Sequence, residues 1–151
     1  MEVCCSFKTI TGGICGSDSR DRKKDIQVVP LSACSKDIEN HLSSYSFTGP
    51  INEVDLILCR AAIFKMPANL DKMTVCPRHR GKLGTGWKRG ATRCRIPLDL
   101  SNHGKGRNKT WPKGDRGLGK HESEVVLRKT GVFVQPGSGK ILKFQISQIK
   151  V

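Results

Sequence analysis

The 151-residue sequence predicts a small α+β fold: short helices, a Gly/Lys/Arg-rich loop and a C-terminal β-hairpin. Three observations lead there. The chain is 36% hydrophobic and 5% aromatic, with sixteen glycines and seven prolines, so turns are many and apolar material for a core is scarce. Cysteine and histidine recur through its middle, at Cys59, Cys76, His79, Cys94 and His103. The formal charge of +14 lies wholly in the second half: residues 1–75 hold nine Lys/Arg and nine Asp/Glu, residues 76–151 eighteen and four. A chain with so thin a core ordinarily needs a covalent or metal staple.

Residues 1–25 are broken by Gly12-Gly13 and Gly16-Ser17 and read as irregular. Ile26 to Val29 predicts a short strand ended by Pro30. Ser35 is placed to cap a helix over 36–45, with Ile38, Leu42 and Tyr45 on one face. Pro50 suits the first turn of a second helix, in which Ile51, Val54, Leu58 and Ala61 share a face and Pro67 sets the limit. Met73 to Cys76 is a short extended approach. Gly119 to Gly131 predicts a third helix with acids near its start and a glycine stop. Val132–Val134 and the alternating Leu142, Phe144 and Ile146 predict two strands around the turn at Pro136-Gly137-Ser138-Gly139. Residues 1–48 read as a flexible arm with one short helix, and 49–151 as the basic Cys/His domain.

Cys76-Pro77-Arg78-His79 carries the clearest chemistry. A cysteine and a histidine two residues apart turn both side chains toward one ion, and a spaced partner pair closes a tetrahedron. Cys94 supplies the third donor. Cys59 supplies the fourth, with His103 as its alternative, because thiolate-rich sets suit zinc. The expected cofactor is one zinc ion. Without a basic leader, an apolar span or an even cysteine count, a reducing, intracellular setting is expected, and disulfides are not.

Residues 76–120 hold thirteen basic and two acidic residues and nine of the glycines. Such a run points to a polyanion, and a nuclear DNA- or RNA-binding role is the leading expectation. Arg78, Arg80, Lys82, Lys88, Arg89, Arg93 and Arg95 would meet phosphates, and Lys105, Arg107, Lys109 and Lys113 would extend the track. Trp87 and Trp111 stand between basic residues where a ring can stack on a base, although a buried plug is equally expected of Trp87. The rival reading is an adaptor whose basic surface meets an acidic protein. No membrane contact and no small-molecule substrate is expected.

Catalytic motifs fail. Gly137-Ser138-Gly139-Lys140 lacks the earlier glycine of a phosphate loop, since Val134 stands there, and is followed by Ile141. His121-Glu122 has no second histidine at helical spacing, and four carboxylates in the basic half are few for acid–base work. No catalytic residue is assigned.

Over residues 73–139 the order MTVCPRHR, LGTGW, a cysteine before Pro97, DRGL and GVFVQPGSG resembles an uncharacterised group of animal Cys/His modules. The resemblance implies a compact zinc-binding module and no particular activity. Many members continue with further cysteines after the GSG turn, where this chain has Lys140-Ile141-Leu142-Lys143.

Overall fold

The computed structural model describes residues 4–89 and 116–140. The chain divides into two compact units: residues 1–38 with 50–88, and residues 39–49 with 89–151. Both helices and small antiparallel sheets are present, an α+β arrangement.

In the first unit, helix α1 (Ser6–Ile10) follows Cys5 as its N-cap. Strand β1 (Val29–Pro30) pairs antiparallel with β2 (Thr74–Val75), in the register Val29 to Val75 and Pro30 to Thr74. Helix α3 (Glu53–Arg60) starts where the Asn52 side chain accepts from the Asp55 N–H at 2.8 Å. Helix α4 (Pro77–Leu83) starts at Cys76, with proline in its first turn where a missing N–H costs nothing. The core joins α1, α3 and β2 through Phe7, Leu31, Val54, Ile57, Leu58, Met73, Val75 and Leu83. Phe7 and Leu31 come from the stretch read as an arm, and both are fully buried.

Two arginines fasten α3 to α4. Arg80 donates from Nε and Nη2 to the Glu53 carboxylate at 2.7 and 2.8 Å. Glu53 is itself buried and accepts a third bond from the Lys36 N–H. Burial pushes its carboxyl up, but the Arg80 fork and the Lys36 N–H outweigh that and hold it below the usual carboxylate range. Arg60 reaches the other way. It donates to the carbonyls of Leu83 and Gly84, at 3.2 and 2.8 Å, and lies 4.0 Å over the Trp87 ring. A cation there meets the negative end of a helix and the face of an aromatic ring together.

The second unit begins with α2 (Glu39–Ser44) and adds β3 (Arg116–Gly117), α5 (Lys120–Thr130) and β4 (Gly139–Lys140). Strands β3 and β4 pair antiparallel, Arg116 to Lys140 and Gly117 to Gly139. Leu118, Val125, Val126, Val134 and Phe47 are buried here. Helix α5 ends at Gly131, whose φ of 73° is left-handed and whose N–H returns to the Leu127 carbonyl at 2.8 Å. Arg89 binds the Gly137 carbonyl through Nε and Nη2, at 2.8 and 2.6 Å, and the Tyr45 carbonyl at 2.8 Å.

Three expected elements differ. Helix α2 starts at Glu39 rather than after Ser35, because the Lys36 N–H goes to Glu53 instead of a helical turn. Residues 77–83, for which no helix is expected, are helical. Val132–Val134 is not a strand: Val132 N–H donates to Thr130 Oγ1 and the Val134 carbonyl accepts from Ser123 Oγ, so side chains take the bonds a neighbouring strand would. The partner of 139–140 is 116–117, and residues 142–146 lie outside the described residues.

Candidate metal centre

Cys76 and His79 do come together, and the donors that join them are Cys5 and Cys15. One ligand atom from each of the four lies within 4.8 Å of every other. His79 Nδ1 is 3.2 Å from Cys76 Sγ, 3.4 Å from Cys5 Sγ and 3.6 Å from Cys15 Sγ, and the last two sulfurs are 3.6 Å apart. Sulfur and nitrogen held about 2.3 and 2.0 Å from a tetrahedral ion would stand roughly 3.5–3.8 Å from each other. The group is compatible with a metal site on both spacing and donor type. Cys5, Cys76 and His79 are buried and Cys15 is half-buried.

Local sequence builds each pair. Gly12 and Gly13, at φ 77° and 79°, adopt the left-handed backbone that side chains resist, and fold the chain back so that Cys15 meets Cys5. The Arg78 N–H then ties to the Gly16 carbonyl at 3.0 Å, fixing this loop to the start of α4. On the other side, Cys76 caps α4 and its sulfur accepts from the His79 N–H at 3.4 Å, which puts the two side chains on one side of the first turn.

The histidine tautomer follows from its second partner. His79 Nε2 lies 2.9 Å from the Gly12 carbonyl, which can only accept, so Nε2 carries the proton and Nδ1 turns its lone pair to the sulfurs. The thiols are tuned unequally. Burial pushes Cys15 up to about 12. Burial also raises Cys76, but the N–H groups of His79 and Gly16 and the imidazole outweigh it and lower the thiol to about 7. Three thiolates cannot share so small a volume without a cation, so an entering metal would displace protons as it bound.

Of the remaining expected ligands, Cys59 alone lies among the described residues. Cys59 is buried on α3 and its sulfur donates to the Leu56 carbonyl at 3.3 Å; it is not a member of the group. Cys94 and His103 lie outside the described residues. Cys34 is buried apart from the group, and burial raises its thiol. Cys4 is exposed. Sequence reasoning missed Cys5 and Cys15 because it sought the partners of Cys76 and His79 between Cys59 and His103. The signal was present upstream, as two cysteines flanking Gly12-Gly13.

Of the expected phosphate contacts, Lys82 and Lys88 are exposed and Arg78 is half-buried. Arg80 is committed to Glu53, and Arg89 to the carbonyls of Tyr45 and Gly137. Trp87 is 8% exposed beneath Arg60, which makes it a core ring rather than a stacking platform. Arg93, Arg95, Lys105, Arg107, Lys109, Trp111 and Lys113 lie outside the described residues. Among the described residues, no helix is long and apolar enough to cross a membrane.

Comparison with protein-family models, with curated proteins and with solved structures returned no match. The functional reading therefore rests on this chain's own residues.

Proposed function

We propose that Cys5, Cys15, Cys76 and His79 hold one zinc ion that staples the first unit, and that the protein is a non-catalytic nucleic-acid-binding module. The observation that carries the metal half is the four-donor group, with His79 Nε2 anchored on Gly12 and Nδ1 turned inward. Three thiolates and one imidazole make a full zinc coordination set with no position kept for a substrate, which is the pattern of a structural site. The ion would supply a cross-link between the N-terminal loop and α4. Thiol donors favour zinc over calcium or magnesium, which take oxygen, and reduced thiols suit an intracellular setting.

The nucleic-acid half is supported by charge. The whole +14 lies beyond residue 75, and Lys82 and Lys88 stand exposed at its start. A nuclear location fits that reading. Elemental analysis of the purified chain tests the first half: one zinc per chain is expected, lost in Cys5→Ser and in Cys76→Ser and kept in Cys59→Ser. Retention of zinc by Cys5→Ser would remove the assignment. Titration with labelled DNA and RNA at low and moderate salt tests the second half. Binding should weaken steeply with salt, and no retention of either at low salt would end it. A stable complex with an acidic protein in its place would favour the adaptor reading.

A further inference from the structure

The first unit contains a cleft of about 250 Å³ that the metal group does not use. One wall is the turn Asp18-Ser19-Arg20. The other is the side of α4 that carries Arg78 and Lys82, and Lys88 joins the lining. Both walls run on from metal ligands: the turn begins three residues after Cys15, and Arg78 lies between Cys76 and His79.

The lining is cationic beyond what its own acid can neutralise. Asp18 is the one carboxylate, and it is taken by Arg20, whose Nη2 and Nε lie 2.9 and 3.3 Å from it. Among the described residues no acid pairs with Arg78, Lys82 or Lys88. The Arg78 Nε is buried and has no hydrogen-bond partner there. Among the described residues, no protein acceptor or acid offsets the Arg78 guanidinium, and an anion in the cleft that this residue lines would do so. Glycines bring the walls close. A Cβ at Gly81 would fall 2.6 Å from Asp18 Oδ2, and one at Gly86 would fall 2.5 Å from Arg20 Nη2, so a side chain at either place would push the Asp18–Arg20 pair away.

We propose that this cleft seats a backbone phosphate of the bound nucleic acid, with Arg78 as its fork and Lys82 and Lys88 as its flanking charges. This rests on the nucleic-acid reading above and assigns that reading its anchor. Arginine presents paired donors that match two phosphate oxygens, and the lysines act as point charges at the rim. Past Lys88 the sequence continues with Arg93, Arg95, Lys105 and Arg107, so a ligand with a charge on every repeat unit gains at each.

The test uses the full, zinc-loaded chain and a short fluorescein-labelled single-stranded DNA, titrated between about 50 and 200 mM salt. Arg78→Gln should raise Kd by roughly five- to tenfold and flatten the plot of log K against log salt by about one unit. Lys129→Gln, which removes the same charge from the exposed side of α5, should change neither. Equal behaviour of Arg78→Gln and Lys129→Gln, with the parent chain binding, would overturn the cleft assignment and leave the nucleic-acid reading standing. No binding by the parent chain would overturn both. Should Arg78→Gln fail to retain its zinc, Lys82→Gln/Lys88→Gln takes its place, both positions being exposed, with Lys65→Gln/Lys129→Gln as the matched control. Parity of those two pairs would refute the cleft as firmly.

Discussion

In the first unit sulfur and imidazole from two distant segments meet at one point, while a set of aliphatic side chains packs on α3. In the second unit no comparable donor group occurs among the described residues. There one arginine, Arg89, gathers the carbonyls of Tyr45 and Gly137, and Val125 and Val126 of α5 are buried, as are Leu118 and Val134. In the proposed zinc-bound form, the first arrangement concentrates its stabilisation in a few bonds to one ion. The second spreads it over hydrogen bonds and packing that any buffer permits. The difference teaches that a composition poor in apolar residues can be satisfied twice, by different chemistry, within one chain.

The largest expected contrast is the response to chelation. Stripping metal should remove most or all of the stability of the first unit, since structural zinc supplies on the order of 10 kcal/mol to small domains. Hydrogen exchange should then show lost protection at Val75, Leu58 and Arg80, with protection kept at Ser123 and Gly131. Simultaneous loss in both units would break the comparison. Next is Glu53→Gln, expected to cost about 3 kcal/mol because Arg80 is left without its buried partner. Its acid behaviour has a defined sign. The folded carboxyl lies below its ordinary value of 4.5, so Glu53 adds stability above that pH and loses it as pH falls through the folded value. Between those limits the parent should lose stability with acid and Glu53→Gln should lose less, as read by urea midpoints at each pH.

Arg89→Ala sharpens the other side. Removing a guanidinium bound to two carbonyls should destabilise the second unit by about 2 kcal/mol and leave zinc content unchanged. Smallest is Gly131→Ala, at about 1 kcal/mol, because alanine resists the left-handed cap of α5. Thermal melts followed by circular dichroism would rank the last two.

Legibility in the sequence tracked how local the cause was. Helix α5 was readable because its stop signal, Gly131, and its acidic start are near neighbours in the chain. The Cys76/His79 pair was readable for the same reason, through spacing that one helical turn explains. Cys5 and Cys15 were hidden because their partners stand more than sixty residues away, and nothing in the spacing of Cys59, Cys94 and His103 argues against those residues. Cys59 sits on the edge of an apolar helical face, a place where a thiol serves equally well as a ligand or as a small buried group, and α3 uses it as the latter. Arg80 and Arg89 carried the same ambiguity: composition counts them as free positive charge, whereas a buried glutamate and a pair of carbonyls engage them.

The spacing of the four ligands has a consequence for synthesis. Sixty residues separate Cys15 from Cys76. As the chain leaves the ribosome, the first two thiols emerge long before the last two donors exist. During that interval an ion meets only half a binding site, and closing the rest requires a long loop to be drawn in. Under the proposed zinc assignment, the segment that carries Cys5 and Cys15 therefore stays a dithiol until Cys76 and His79 have been made, and the site closes only then.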